Sequence, residues 1–518
     1  MKKLILALAL ILVPSMALTG CGQQSGSAEA KDKTLITSVA GDPINFHPDL
    51  KADDNAYGMN QNIFNRLVKL GPKNNVIPDL AKSWEFSEDG LTLTFHLHDN
   101  VKWHDGTKFT AADVVWTFET MRKEKWRASS SLSSITSITA PDDNTVVMKL
   151  SHPDSSILGM ISWYGTFIMP KHLYEGTDQS SNEYNNKPVG TGPFKFSSWE
   201  KGVSVKLTRN DDYFKTPAKV KELVYMIIPD QTTAYQSFIN GEIDVLGGAP
   251  PSAEAGSLDN NPDYNVYTEL WANRTYLTFN SNDPHFKKKE VRQAVALGID
   301  RDSVFKRAAK GQGARADFFI SPLYEEYIDK DVKLPEYNKE AAIKLLEDAG
   351  YKKDANGFYF STTLDGFEDG NFKDIATIVQ ANLKEIGIDV KINMMENAAW
   401  SDKVLKNKNF QMTMLAGYQG PDVSGVAGRI KSDGATNMMS YNNPKVDELL
   451  TKGVQVSDKE ERIKIYKEVQ KIMSEDMPLV LLVDNGSKTP VKKYITGLPV
   501  QNPDELSSNE FTLVDINK

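Results

Sequence analysis

The chain alternates between segments with two kinds of hydrophobic spacing. In residues 91–103, LTLTFHLHDNVKW, apolar and polar side chains alternate, which predicts a half-buried strand. Residues 109–123, FTAADVVWTFETMRK, have helical spacing, and Thr110 followed by Asp113 is typical of a helix start. The same patterns predict strands over 144–151, 203–210 and 220–230, and over 232–245 a helix that ends at Gly241 before a short strand.

The second half of the chain is richer in predicted helices. Asp300 and Asn338 are placed as N-caps of helices over 301–311 and 339–350, and Gly350 follows the second helix at a C′ position. Residues 371–396 predict a helix, a glycine stop and a strand. Residues 457–478 predict a helix that opens with a Ser457-Glu460 capping box and stops at Pro478. Strands and helices alternate throughout, so the predicted fold class is α/β.

The N-terminus carries an export signal. Lys2 and Lys3 precede an apolar run over residues 4–13, which is shorter than the about 20 residues that span a bilayer. Leu18-Thr19-Gly20-Cys21 resembles the lipobox of bacterial lipoproteins, and Cys21 is the single cysteine of the chain. This resemblance implies a signal peptide over 1–20, a lipidated Cys21, and a flexible tether over 21–33, whose polar composition is typical of a solvated linker.

Composition limits the classes of partner. A length of 518 residues predicts two or three domains, and 40% hydrophobic residues are enough for a sizeable core. The net charge is −9, and loss of Lys2 and Lys3 with the leader would make the body more negative. An acidic body disfavours nucleic acid as a partner and electrostatic docking on anionic lipid. After the leader, no apolar run reaches membrane-spanning length.

Several short motifs look catalytic or metal-binding but have simpler structural interpretations. His104 beside Asp105 resembles a catalytic dyad, yet Asp-Gly is first a turn signal. Residues 190–193, GTGP, lack the spacing and the lysine of a phosphate loop and predict a turn into a strand. His96, His98 and His104 could hold a metal, but no cysteine or tight carboxylate cluster supports one. Motifs of serine hydrolases, zinc proteases and dinucleotide enzymes are absent from the sequence, which predicts a protein without catalytic activity, metal or cofactor.

Six longer strings indicate a family. They resemble the peptide-binding, family 5 type solute-binding proteins of ABC importers, which include dipeptide, oligopeptide and nickel receptors, and the likeness runs from about residue 34 to the C-terminus. The strings, in chain order, are VKWHDGTKFTAADVVWTFE, VGTGPFKFSSWEKG, LTRNDDYFK, FINGEIDV, TYLTFN with KKKEVRQAVALGIDRDSV, and YNKEAAIKLLEDAGY.

The resemblance implies a two-lobed fold of the periplasmic-binding-protein type, class II or cluster C, with the ligand between the lobes. Two strand-like crossings are expected near 269–280 and 479–491. Rotation about them would close the cleft, which is the hinge mechanism of domain closure. The expected divisions are lobe one at 34–272 plus 487–518, with an extra subdomain at about 60–185, and lobe two at 273–486.

The resemblance also implies ligand-binding residues in the loop 415–429. Gly417-Tyr418 matches the start of the family's acidic loop, and Asp422 is the expected partner of the ligand's amine. An aspartate after proline is equally typical of a turn or cap. Gln419 lies in the same loop, and the expected cleft wall includes Trp271, Asn273, Tyr57 and Met59, each of which could instead be core.

The chain departs from the dipeptide type in one loop. Residues 366–374, GFEDGNFKD, contain Lys373 but no arginine for the ligand's C-terminal carboxylate. Arg429 could serve instead, although a solvated surface arginine is the simpler interpretation. The sequence therefore leaves the ligand open between peptides of more than two residues and a modified or opine-like amino compound.

The leading hypothesis is a lipid-anchored, monomeric receptor at the outer face of the cytoplasmic membrane or in the periplasm. It would deliver peptides to the permease and ATPase subunits of an ABC importer. The alternatives are a nickel or metal-chelate receptor, an opine-like amino-compound receptor, and an adhesin or signalling lipoprotein on the same fold. A secreted hydrolase would need a nucleophile with its base and acid, for which the sequence has no motif.

Overall fold

The computed structural model describes residues 33–518 except 52, 72, 369 and 503–505. The predicted signal peptide, Cys21 and nearly all of the tether lie outside the described residues. Among the residues that are described, no helix is both long enough and apolar enough to cross a membrane.

Strands and helices alternate along the described chain. The strands are β1 (Thr34–Val39), β2 (Val68–Leu70), β3 (Val76–Pro78), β4 (Ala81–Phe86), β5 (Thr92–Leu97), β6 (Ile135–Asp142), β7 (Thr145–Leu150), β8 (Phe194–Glu200), β9 (Ser204–Arg209), β10 (Glu222–Ile227), β11 (Tyr264–Phe279), β12 (Ala314–Arg315), β13 (Phe360–Phe367), β14 (Ile388–Met395), β15 (Met412–Tyr418), β16 (Leu479–Lys492), β17 (Ile495–Thr496) and β18 (Asp515–Ile516). The helices are α1 (Asp54–Ile63), α2 (Ala111–Lys123), α3 (Ile157–Ile161), α4 (Lys171–Tyr174), α5 (Gln231–Asn240), α6 (Lys289–Gly298), α7 (Arg301–Ser303), α8 (Lys339–Asp348), α9 (Phe372–Glu385), α10 (Asn397–Trp400), α11 (Ala427–Ile430), α12 (Pro444–Gln455) and α13 (Lys459–Asp476).

The first large sheet combines the start of the chain with its middle. Its strand order is β1-β10-β9-β8, with β1 parallel to β10 and the other neighbours antiparallel. The core beside this sheet contains Leu35, Phe194 and Leu223, and the C-terminal residues Val491 and Val514 pack into the same cluster. The end of the chain therefore returns to complete the lobe that its beginning starts.

A second sheet forms a separate unit within residues 81–150. Its order is β4-β5-β7-β6, all antiparallel, and α2 packs against it. Apolar side chains from one face of the strands and of α2, such as Phe95 and Phe118, share a core of their own. This separate core supports the extra subdomain expected at about 60–185, which stays a prediction.

The third sheet has the order β12-β16-β11-β15-β13-β14. Strands β13, β14 and β15 run parallel, and β11 and β16 run antiparallel to their neighbours. Its core is the largest cluster and extends from Tyr276 to Val483 in the sequence. The predicted lobe boundaries at 272/273 and 486/487 stay predictions, and this separation of the cores supports them.

Most predicted helix ends agree with the structure, and a few details are wrong. Thr110 is the N-cap of α2, and its backbone N–H donates a hydrogen bond to Asp113 Oδ2 at 2.9 Å. The N-cap of helix α13 is Asp458 rather than Ser457, because the Asp458 carboxylate accepts a hydrogen bond from Glu461 N at 2.8 Å. After Gly241 only Val245 forms a bridge, to Thr37, instead of the predicted short strand.

The His104 ring holds the turn at 190–193 in place. Its Nε2 lies 3.0 Å from the Gly192 carbonyl oxygen, and its Nδ1 accepts a bond from Gly190 N at 3.1 Å. Burial lowers the pKa of His104 to about 4. Asp105 instead pairs with His172 at 2.7 Å, so the adjacent His104 and Asp105 form no dyad. The sequence prediction of a structural turn into β8 is confirmed.

We expect His104 to make the protein sensitive to acid. The unfolded chain protonates histidine near pH 6.5, whereas the folded imidazole resists protonation until about pH 4, so acidification favours unfolding in this window. The stability advantage of the parent over H104Q should shrink by up to about 3 kcal/mol between about pH 7 and pH 4. Urea unfolding of both proteins at each pH measures this, and an advantage that does not change with pH would contradict it.

Candidate functional site

The candidate site lies where parallel strands of the third sheet end beside a crossing strand. β13 and β15 end at Phe367 and Tyr418, on the same edge of the sheet. Crevices outside the carboxyl ends of parallel strands are the usual ligand sites of α/β sheets. Here Tyr418 pairs with Asn273 of β11, the strand that continues toward the first lobe.

A bulge in the crossing strands shapes this edge. Residues 264–270 of β11 pair with residues 486–492 of β16, and pairing resumes at Arg274 with Asp484. Three residues of β11 therefore lie opposite the single residue Asn485. Its side chain bridges the bulge, since Nδ2 donates to Asn273 Oδ1 at 2.9 Å and Oδ1 accepts from Thr275 Oγ1 at 3.0 Å. Bulges bend a strand and re-aim side chains, and this one leaves Trp271 44% exposed.

A buried ion pair fixes the register immediately after the bulge. Arg274 is fully buried, and its Nε contacts the carboxylate of Asp484, which is also buried. The other guanidinium nitrogens donate to the carbonyls of Phe318 and Phe319 at 2.8 and 2.9 Å. Burial raises the pKa of Asp484, and the arginine opposes this effect. The pair thus locks the two crossing strands together beside the site.

Backbone and arginine contacts hold the end of β15 against the bulge. Gln419 N donates to the Ala272 carbonyl at 2.7 Å. Arg429 donates to the Tyr418 carbonyl, and its guanidinium lies 5.3 Å from the ring centre of Tyr276. Arg429 is therefore a half-buried brace, and its interpretation as a solvated surface arginine is wrong.

Asp422 already has an internal cation. Its carboxylate is paired with Arg462 through contacts of 2.5 and 3.0 Å, and it also accepts a bond from Ser424 N at 2.9 Å. Burial lowers the pKa of Arg462, but the charge and hydrogen bonds of Asp422 outweigh this, so the net pKa is raised. An ammonium group from a ligand would have to share Asp422 with Arg462. The role of Asp422 as amine partner stays a prediction.

Aromatic side chains from the first lobe face the end of β15. Tyr57 of α1 stacks on Tyr164 with ring centres 4.4 Å apart and an angle of 8°. Trp163 stacks on Tyr418 at 4.9 Å and 13°. Behind them, the guanidinium of buried Arg66 lies 3.6 Å from the ring centre of Phe167 and donates to the Trp163 carbonyl at 3.2 Å. The Trp163–Tyr418 pair therefore connects residues of the two predicted lobes.

Three further contacts accompany this stack. Ser155 N donates to the Val454 carbonyl at 2.8 Å. Gly159 approaches Pro421 so closely that an added Cβ would lie 3.0 Å from its carbonyl oxygen. The Tyr324 hydroxyl donates to the carbonyl of Gly420. The loop that contains Asp422 is thus held by Tyr324 and approached by Gly159, which lies in the segment predicted as the extra subdomain.

The structure brings together most of the predicted binding residues. The bulge is surrounded by Trp271, Asn273, Tyr418, Gln419 and Arg429. Tyr57 contacts Trp163, which in turn stacks on Tyr418.

Two predicted binding residues lie elsewhere. Met59 is wrong as a cleft residue, because it is fully buried in the core beside the first sheet. Lys373 is exposed in the first turn of α9, after the carboxyl end of β13. Its contact with a ligand stays a prediction.

The sequence analysis missed Trp163, Tyr164, Tyr324, Arg66 and Arg462. An adjacent Trp-Tyr pair between a short helix and a buried segment was a usable signal, because exposed aromatic pairs in loops often contribute to binding. Arg66 and Arg462 gave no signal, since Trp163 is 97 residues from Arg66 and Asp422 is 40 residues from Arg462 in the sequence.

The histidines considered for metal binding have separate environments. His96 lies 3.7 Å from Glu85, His98 packs beside Phe214, and His104 holds the turn at 190–193. In the part of the chain that the structure describes, no three His, Cys, Asp or Glu side chains are grouped as metal ligands would be.

Comparisons with known proteins agree on a family. The model of the bacterial extracellular solute-binding proteins, family 5 (middle), matches residues 75–437. The oligopeptide-binding protein AppA of Bacillus subtilis is 29% identical over 510 residues, which are 93% of each chain. Heme-binding protein A of Haemophilus influenzae is 28% identical and covers 94% of this chain and 95% of its own. The structure of the periplasmic binding protein DppA from Helicobacter pylori with the peptide STSA is 28% identical, with a TM-score of 0.72 over 95% of this chain and 100% of its own.

We expect removal of one partner of the Arg274–Asp484 pair to be severe. R274M leaves a buried carboxylate without its cation, which should lower the free energy of unfolding by about 3–5 kcal/mol. The double variant R274M/D484L removes both charges and should recover much of this loss. Chemical denaturation measures both changes. As a control, K344M breaks the exposed Lys344–Asp348 pair and should change stability far less than R274M does, because exposed ion pairs are screened by solvent. Equal losses in the two variants would contradict the prediction.

Proposed function

Because the chain belongs to the bacterial extracellular solute-binding proteins of family 5, we propose that it captures peptides outside the cytoplasmic membrane for an ABC importer. Two of the similar proteins are named for, or shown with, peptides. The observation that carries the proposal is the position of Tyr418, which ends β15 beside the crossing strands and stacks on Trp163 of the opposite lobe.

This arrangement suits a ligand that is recognised mainly through its backbone and its surface area. Tyr57, Trp163 and Tyr418 supply flat aromatic area, which contributes to binding without selecting one side chain. Such walls with a few polar groups are typical of small-ligand sites. A ligand that contacts both lobes favours the conformation in which they are close, so binding would shift the population toward a closed form.

The charges near the site favour a peptide without strict dipeptide length. Asp422 is neutralised by Arg462, and Lys373 is an exposed cation with no ion pair to a carboxylate of the described residues. Together, these two groups do not form a rigid pair of opposite charges that would bind both charged ends of a dipeptide at a fixed separation. We therefore propose peptides of varied length as the substrate class.

We further propose that Cys21 anchors the receptor by lipid to the outer face of the membrane. Its support is the sequence around Cys21 and its place before a polar tether. Two or more acyl chains on one cysteine would provide stable attachment, because one chain binds only marginally. Mass analysis of the N-terminal peptide from membrane-extracted protein tests this anchor.

The first test identifies the ligand that co-purifies with the protein. Native mass spectrometry of the protein purified from rich medium, followed by mild denaturation, should release peptides of mixed sequence. A single non-peptide mass, such as a haem or a metal chelate, would contradict the peptide assignment while leaving the family unchanged. A protein that stays empty and binds no peptide from a mixed pool would instead favour an adhesin or signalling role.

Asp422 can be tested with two forms of one peptide. If Asp422 binds the ligand's ammonium, D422N should weaken binding of a co-purified peptide with a free N-terminus by about tenfold or more and leave its N-acetylated form unchanged. If Asp422 only braces Arg462, both forms should change by the same factor. Isothermal titration calorimetry measures the affinities, and D433N, at an exposed aspartate in the same lobe, is the control.

A further inference from the structure

A polar pocket lies in the same predicted lobe, beside the start of β15. It has a volume of about 390 Å³, within the range of small-molecule sites. The strand β15 separates it from the candidate peptide site, since Gln411 precedes the strand and Tyr418 ends it. Six residue steps of strand correspond to about 20 Å. The lining residues are Asn280, Asn282, Asp283, Thr363, Asp365, Lys403, Asn409, Phe410 and Gln411.

The central group of the pocket is the carboxylate of Asp365. The residue is fully buried, two positions before the end of β13. Its Oδ1 accepts bonds from Asn393 Nδ2 and Lys403 Nζ, both at 2.7 Å. Its Oδ2 has no donor among the described residues. Since buried polar atoms are normally hydrogen-bonded, an unpaired carboxylate oxygen on a residue that lines a cavity indicates a missing partner.

The missing partner has to supply a hydrogen bond rather than a charge. Lys403 already neutralises Asp365, so a second cation is not required. The pocket also contains the carboxylate of Asp283, which makes its lining net negative and unfavourable for anions. A neutral hydroxyl group can donate to Oδ2 and can accept from the remaining protons of Lys403.

The walls of the pocket are fixed before any ligand arrives. Gln411 accepts from Thr363 N at 3.0 Å and donates to Asp283 Oδ2 at 3.0 Å. Asn280 donates to the carbonyls of Lys408 and Phe410, both at 3.0 Å. Such preorganisation reduces the entropy cost of binding, because these side chains need not be ordered by the ligand.

We propose that this pocket is a second binding site for a neutral polyhydroxylated molecule, a monosaccharide or a sugar unit of a longer glycan. The adjacent hydroxyl groups of a sugar both donate and accept hydrogen bonds, so they suit the carboxylate, ammonium and amide groups of the pocket. The pocket volume suits one sugar ring. The proposal does not depend on the peptide function, because the two sites lie at opposite ends of β15.

Saturation-transfer NMR and calorimetry on the purified protein test the proposal. The probes are glucose, myo-inositol, N-acetylglucosamine and the trimer of N-acetylglucosamine. At least one should bind; tighter binding of the trimer would indicate a glycan, and binding of monomers alone a free sugar. D365N should weaken binding by about tenfold or more, because its amide would present a donor where the site needs an acceptor.

Two variants keep the test decisive. N282W changes an exposed residue at the pocket and should block the probes without entering the core, even if D365N folds poorly. D389N, at an exposed position at the start of β14, is the control and should bind like the parent. Peptide binding should be unchanged in all three variants. The absence of binding by every probe, or unchanged binding in N282W, would overturn the proposal.

Discussion

The buried ion pair between Arg274 and Asp484 is the interaction on which the rest of the structure depends. It joins the two long strands that pass between the lobes, at the point where their register resumes after the bulge. A fully buried pair costs desolvation, which is offset by the attraction between the two charges and by the hydrogen bonds from Arg274 to the carbonyls of Phe318 and Phe319. The pair therefore defines one register for the crossing strands, and the bulge, the end of β15 and the aromatic stack all follow from that register.

The candidate site is built from groups whose charges are already satisfied. Asp422 is held by Arg462, Arg429 by the Tyr418 carbonyl and by the ring of Tyr276, and Arg66 by the Trp163 carbonyl. Breaking such contacts for a ligand would cost free energy, whereas covering the exposed faces of Trp271 and Tyr418 would gain it. This balance explains why the site suits recognition by area and backbone better than recognition by one strong charge.

Local sequence signals predicted much of the fold. Some features depend on neighbouring residues only and could therefore be predicted from the sequence. They are the caps at Thr110, Asp300 and Asn338 and the glycine after α8. The N-cap of α13 lies one residue later than predicted, because Ser457 and Asp458 both suit the position and the local pattern does not distinguish them. Met59 shows the limit of this approach, since a half-polar helix does not reveal which of its faces will meet another part of the chain.

The amino-acid sequence alone was sufficient to predict the α/β class, the order of elements, the family indicated by the six strings and the position of the lone cysteine. These properties depend on hydrophobic period, on turn chemistry and on the identity of residues along the chain. Three-dimensional packing was needed to establish that Trp163 stacks on Tyr418, that Arg462 neutralises Asp422 and that one oxygen of Asp365 has no donor among the described residues. Each of these depends on residues 28 to 255 positions apart, and packing alone sets which of many polar and aromatic side chains meet.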